Sequence, residues 1–252
     1  MSGSVLECPY HVRGYDCGYG GPLRPFSLGN FFQEAAGDSA GTLGIGMEQM
    51  FAQGLTWMLS KIDIRIEGLP QTGDDVTLRT WPNGTDRIYA MRCIEMIDAQ
   101  GKKLAGASYA YLVVDIKSRK LVRPERIMTE AMKTDRPLPF PDLEPGLHGV
   151  AGFDVSSLGS FSDSFLVMAA PRHIDNNGHV NNAFELNWLC DAVPLEERGA
   201  GNLKRIKIEF NSEIKMGELL KVKWKRREGT RDFLSIVERD GQILCRGLTR
   251  WE

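Results

Sequence analysis

The sequence predicts an α+β protein in which one unit, a helix wrapped by an antiparallel sheet, occurs twice. Three observations carry this. The stretch "IDIRIEGLPQTGDDVTLRTW" (Ile62 to Trp81) is echoed by "IKIEFNSEIKMGELLKVKW" (Ile206 to Trp224). An apolar segment at helical spacing precedes each copy. A proline-rich stretch separates the two. The repeat distance of roughly 140 residues is far too long for a solenoid and suits a duplicated domain.

Each copy opens on period-two alternation: Ile62, Ile64 and Ile66 in the first, Ile206, Ile208 and Phe210 in the second. Apolar and charged residues alternating in this way predict a strand with one buried face. A glycine–acid turn follows, Gly73-Asp74 and Gly217-Glu218, and then a second alternating strand. Tight turns at Asp98 to Gly101 and at Asp240-Gly241 predict a closing hairpin in each copy. The first helix is predicted over "SLGNFFQEAAGDSAGTL", where Leu28, Phe31, Phe32 and Ala35 fall on one face. The second runs through Phe184, Trp188, Leu189 and Ala192. Both are apolar enough to lie buried against a sheet. Between the halves, Pro137, Pro139, Pro141 and Pro145 exclude a helix interior or a central strand and predict an extended linker. The expected division is 1–134, a linker at 135–160, and 161–252.

The 252 residues are 42% hydrophobic and 25% charged, ordinary values for a globular chain. With 31 basic and 33 acidic residues, the charge balance lacks the basic excess of a nucleic-acid binder. No apolar run reaches the roughly 18 residues of a membrane span. The first twenty residues have neither the basic start nor the apolar core of a signal peptide. Five scattered cysteines (Cys8, Cys17, Cys93, Cys190, Cys245) suit a reducing, cytoplasmic setting, and no C-x-x-C pair suggests zinc. No cofactor is implied.

The halves differ in one place. "HIDNNGHVNNAFELNW" (His173 to Trp188) concentrates asparagine, aspartate and histidine just ahead of the second helix, whereas "FSLGN" ahead of the first offers neither histidine nor carboxylate. Two readings fit. Asn and Asp are favoured helix caps and turn formers, which makes the loop structural. Alternatively, alternate residues of an extended loop share one side, placing Asp175, Asn177 and His179 together. A histidine can then exchange a proton near neutral pH, a carboxylate can fix it, and the free amides of the helix start near Asn181 and Asn182 favour developing negative charge. His11, His148 and His173 are read as structural or solvent-exposed.

At these residues the chain resembles the plant and bacterial fatty acyl-ACP thioesterases. Their Asp-x-Asn-x-His-Val-Asn-Asn run before a Trp-bearing helix is matched by Asp175, Asn177, His179, Val180, Asn181, Asn182 and Trp188. The family glutamate, thirty-four residues after the histidine, is matched by Glu213. "GLTWMLSKIDIRI" and "TWPNG" extend the resemblance to the first half. There is one departure. Plant members often carry a cysteine after that glutamate, and here it is Ile214, so a thiolate at that position is excluded. Phe184 and Glu185 also stand where the plant motif has a basic and an aromatic residue, a change expected to alter packing only.

The resemblance implies two tandem hotdog folds and hydrolysis of the thioester of a fatty acyl chain on acyl carrier protein. It implies Glu213 as general base, Asn177 as a positioning group, His179 polarising the thioester and protonating the thiol, and Asp175 orienting the loop. The first unit, with Met50, Trp57 and Met58, would bind the acyl chain. An acyl-CoA thioesterase, another hotdog acyl-thioester enzyme and a non-catalytic acyl-binding module are the alternatives. Taken alone, Glu213 is expected to face outward from its strand unless the strand ends or bulges at Asn211-Ser212. The basic segments Lys117 to Arg126 and Lys221 to Arg227 fit either docking of an acidic carrier or a solvated strand face. A homodimer stays open.

Overall fold

The computed structural model describes residues 5–129, 132, 134, 136–143, 159–198 and 202–252. The chain divides into two compact units, Met1–Leu147 and His148–Glu252.

The first unit contains β1 (Leu6–His11), α1 (Pro25–Thr42), α2 (Met47–Ala52), β2 (Leu55–Ile66), β3 (Asp75–Asp86), β4 (Tyr89–Asp98), β5 (Lys103–Asp115) and the short β6 (Leu121–Val122). Its antiparallel sheet runs β2-β5-β4-β3-β1, with β6 also on β5. Helix α1 starts at Pro25, whose fixed φ suits the first helical position and whose missing N–H costs nothing there. It turns Leu28, Phe32, Ala35, Ala36 and Ser39 to the interior. It packs chiefly on β3, and the predicted Ile62, Ile64 and Ile66 of β2 are all at most 2% exposed. Full burial of such a side chain contributes roughly 1.5–3 kcal/mol.

The second unit contains β7 (Ser162–Met168), α3 (Asn182–Asp191), α4 (Leu195–Arg198), β8 (Leu203–Phe210), β9 (Leu219–Arg226), β10 (Asp232–Arg239) and β11 (Gln242–Trp251). Its sheet runs β8-β11-β10-β9-β7, the same order as the first once the strands are matched in sequence. The register of β10 and β11 is set by a tight hairpin at Asp240 (φ 50°) and Gly241 (φ 81°). Each unit is a hotdog, a helix held in a curved antiparallel sheet, as the resemblance implied. Strands β1 and β7, which open the units at one sheet edge, were not anticipated. β1 does alternate, Leu6, Cys8 and Tyr10 against Glu7, Pro9 and His11, but Pro9 interrupts its reading as a strand.

Over the residues that are described, the proline-rich stretch lies against the first unit. Arg136 lies over the Trp81 ring (4.6 Å) and bonds Glu95 (2.7 Å), and Asp142 bonds Arg65 (2.7 Å). Phe140 lies under Arg65 and Lys103. The segment packs so closely on β5 that a Cβ at Gly106 would stand 2.5 Å from Pro139 Cβ. A chain with no donor at its prolines is a poor strand, yet it offers rings and carbonyls on which cations can stack. Asp135 and residues 144–158, the rest of the expected linker, lie outside the described residues, as does His148.

Candidate active site

The polar loop is not extended. It is a tight turn: Asp175 N donates to His179 O (2.8 Å) and Gly178 N to Asp175 O (3.0 Å). Gly178 (φ 80°) takes the left-handed conformation that this turn requires. Asp175 organises the turn from inside. Its Oδ1 accepts from Asn177 N (2.8 Å) and His179 N (3.3 Å), and its Oδ2 from Asn177 Nδ2 (3.3 Å). The three residues are therefore brought together by hydrogen bonds to one carboxylate, not by strand alternation.

Asn181 caps α3, its side chain accepting from Ala183 N (2.9 Å). By helix geometry the Asn182 amide is among the N–H groups left without an intrahelical partner at the same end. His173 serves the scaffold, as expected. Its ring is buried against Phe184 and Trp188 (4.7 and 5.3 Å between centroids), and its Nδ1 accepts from Ala170 N (3.1 Å). Burial, then nearby Arg172, lowers its pKa below the ordinary histidine value, consistent with a neutral ring acting as acceptor.

Glu213 reaches the turn because its strand ends early. Asn211 N and Ser212 N both donate to Leu244 O (2.8 and 3.1 Å), two successive amides on one carbonyl, which breaks the alternation of β8 after Phe210. The chain then pairs with the turn: Val180 N donates to Ile214 O (2.8 Å), and His179 bridges Lys215. Residues diagonal across such a bridge share one face. Glu213 Oε2 accordingly lies 3.3 Å from His179 Nε2, with side chains 29% and 27% exposed. A carboxylate and an imidazole in contact, partly open to solvent, can hold and move a proton beside a bound substrate.

The first unit repeats this frame without its chemistry. Gly18 N donates to Pro22 O (2.9 Å), Gly21 N to Gly18 O (3.1 Å) and Leu23 N to Pro70 O (2.9 Å); Pro22 bridges Gln71. Gly18, Gly20, Pro22 and Leu69 thus stand where the second unit has Asp175, Asn177, His179 and Glu213. This corrects the sequence alignment of the halves: "FSLGN" lies within α1, and the matching loop is "GYGGP", a few residues earlier.

The sequence reading missed Glu185. It was expected to adjust packing beside the site, yet it is 2% exposed in the first turn of α3. Asn182 Nδ2 donates to its Oε1 (3.3 Å), while among the described residues Oε2 has no nitrogen or oxygen hydrogen-bond partner. Burial pushes its pKa up to about 8, against weaker opposing bonds from Cys245 and Asn182. The thiols are poor nucleophile candidates. Cys190 and Cys245 are buried, and burial raises the pKa of each. Among the described residues no helix is long and apolar enough to cross a membrane.

Comparison with known proteins matches both units. Residues 3–133 match the acyl-ACP thioesterase N-terminal domain and residues 168–252 the C-terminal domain. A chloroplastic acyl-[acyl-carrier-protein] hydrolase of Cuphea viscosissima is 24% identical over 99% of this chain, and 62% of that protein is covered. The chain spans about half to three-quarters of the length of the curated relatives it matches, for example 52% and 74%. In structure it resembles an acyl-ACP thioesterase from Bacteroides thetaiotaomicron (TM-score 0.86, 22% identity, 98% of each chain). It also resembles the 12:0-ACP thioesterase from Umbellularia californica (TM-score 0.76, 19% identity, 98% and 97% of the two chains). At such identities these structures speak for the fold, and the domain matches across both units speak for descent: the chain belongs to the acyl-ACP thioesterase family.

Proposed function

We propose that this chain hydrolyses the thioester of a fatty acyl chain carried on acyl carrier protein and releases the free fatty acid. The observation that carries the reading is the Glu213–His179 contact (3.3 Å), built on a backbone frame that the first unit repeats with glycine and proline. A duplicated fold that keeps proton-handling groups in one copy has one reacting centre.

Glu213 takes a proton from water as the water oxygen attacks the thioester carbonyl carbon. Asn177, tethered to Asp175, steadies that water, and Asp175 holds the turn. The oxyanion meets the Asn182 amide and the positive end of α3. As the C–S bond breaks, His179 passes a proton to the leaving thiolate, and the Glu213–His179 contact returns the proton taken from water. General-base hydrolysis is favoured over a thiol nucleophile because Ile214 replaces the plant cysteine and is itself 1% exposed.

Residues 1–134 bind the acyl chain in this reading, and 161–252 carry the chemistry. Met50 is fully buried and Trp57 donates from its ring N–H to Ile45 O (2.8 Å), in an apolar cluster with Val113 and Ile127. That cluster would close the end of the chain-binding space. Five free thiols support a cytoplasmic setting. The test is a panel of acyl-carrier proteins from short to long chains, read as fatty acid release. Turnover of the same chains only on coenzyme A, or binding without release, would reject the proposal.

A further inference from the structure

The outer face of the second unit carries four large apolar side chains in the open: Leu166 (65% exposed), Met168 (59%), Met216 (61%) and Leu219 (54%). They are contiguous. Met168 pairs with Leu219 across β7 and β9, and Leu166 pairs with Lys221. Met216 sits in the turn between, where Gly217 N donates to Ala169 O (2.7 Å) and Ala169 N to Glu218 O (2.9 Å). Single exposed apolar residues are ordinary, but four together mark a surface that something covers. Methionine in particular adapts to a partner's shape.

This patch adjoins the reacting turn. Lys215, next to Met216, is the residue bridged to His179. Arg172 lies in the 3-10 turn that leads into Asp175. Both cations are exposed, and among the described residues neither has a carboxylate partner. The basic run Lys221 to Arg227, which the sequence offered for docking, is different. Lys223 holds Glu238 (2.6 Å), Arg226 and Arg227 stand 3.8 and 3.9 Å from Glu197 and Asp232, and Lys221 and Lys225 are also engaged. Charges already answered within the fold attract a partner weakly. Unanswered ones beside an apolar patch attract an acidic one.

We propose that Leu166, Met168, Met216 and Leu219, flanked by Arg172 and Lys215, are the surface on which an acidic acyl-carrier domain docks to present its thioester to the His179 turn. The inference rests on the hydrolase reading above. The apolar residues supply the buried centre of the contact, and the two cations supply approach and orientation.

The test compares one acyl chain on two carriers, acyl carrier protein and N-acetylcysteamine, in the full chain and its Arg172→Glu/Lys215→Glu variant. The expected result is a rise in KM for the protein-borne substrate of about tenfold or more, with kcat/KM for the small thioester held within about twofold. The wild-type KM for acyl carrier protein is expected to climb with salt, and the variant's to climb less. A second pair, Met216→Ser/Leu219→Ser, is expected to give the same split. Binding of acyl carrier protein to the Glu213→Gln protein reads the surface without turnover. If the wild type hydrolyses neither substrate yet that binding is lost with the charge reversals, docking stands and the hydrolase reading falls. Equal loss on both substrates, no change on either, or a wild-type dimer that the serine pair dissociates would overturn the docking surface.

Discussion

Pro22 and His179 occupy the same corner of two turns with matching hydrogen bonds, each bridging the fifth residue past a strand end, Gln71 and Lys215. A ring that can neither donate nor accept a proton stands in one unit, and an imidazole 3.3 Å from a carboxylate stands in the other. The duplication preserved the backbone hydrogen bonds of the turn to within a few tenths of an ångström while the side chains diverged. Scaffold and chemistry are thus separable here, and the predictions follow from treating them separately.

Asp175 belongs to both. Its carboxylate accepts from two amides and from Asn177 Nδ2. Asp175→Ala is expected to lower kcat by about 10- to 100-fold with little change in KM, because the turn that places Asn177 and His179 loosens. Asp175→Ala combined with Asn177→Ala should cost much less than the product of the single effects, since both act through one turn. Strictly multiplicative losses in a double-mutant cycle would contradict this.

Thiol chemistry should be irrelevant to turnover. Cys93, Cys190 and Cys245 are buried with pKa values pushed up, Cys93 to about 12. Iodoacetamide at neutral pH is expected to label Cys8 and Cys17 first and to leave activity intact, with labelling read by mass spectrometry. Stoichiometric inactivation tracking one cysteine would reinstate a thiolate mechanism.

Glu185 makes stability depend on pH. Its folded pKa is raised to about 8 from an ordinary 4.5 by burial. The folded state binds that proton more tightly than the unfolded chain does. The stabilisation is therefore fully present below about pH 4.5 and is lost as pH rises through about 8. Relative to wild type, Glu185→Gln should gain stability progressively over that window, on the order of a few kcal/mol by pH 9, in urea unfolding at a series of pH values. A gap that does not change with pH would show that the carboxyl does not titrate in the core.

The segment 136–143 is expected to detach when its seat is filled. Gly106→Ala would push a Cβ against Pro139 and the Phe140 ring. Limited proteolysis should then cut within 136–143 faster than in wild type, with thermal stability lowered by a few degrees. Loss of Glu95, buried beneath Arg136 and Lys103 (2.7 and 3.1 Å), should have the same signature. Unchanged proteolysis in both variants would mean the segment does not depend on this contact.

Much of this fold was legible from residues alone. Ile62, Ile64 and Ile66 announced a strand by alternation, and the Gly73-Asp74 and Gly217-Glu218 turns announced the repeat, because both signals are local. Strand β1 was missed because Pro9 interrupts an otherwise alternating run, and β7 because an edge strand held by one neighbour needs little pattern of its own. At the site, residue identity was readable but geometry was not. One reading grouped the three residues by way of an extended loop, whereas a single carboxylate folds the loop into a turn. Glu213 was expected to point outward unless its strand ended or bulged at Asn211-Ser212, and there two amides sharing Leu244 O do end the strand. Glu185 was read only as a change in packing beside the site, because a charged residue carries no sequence mark of full burial. The proline-rich join read as a spacer, since its attachment depends on Trp81, Glu95 and Gly106, remote in sequence.

The central claim is that the Glu213 carboxylate activates water against a thioester held at the His179 turn. The most direct measurement is kcat of Glu213→Gln on acyl carrier protein bearing a preferred chain, taken with its thermal unfolding. The account predicts a loss of about 10²- to 10⁴-fold in kcat with unfolding close to wild type. A well-folded Glu213→Gln protein that turns over at nearly the wild-type rate would contradict it.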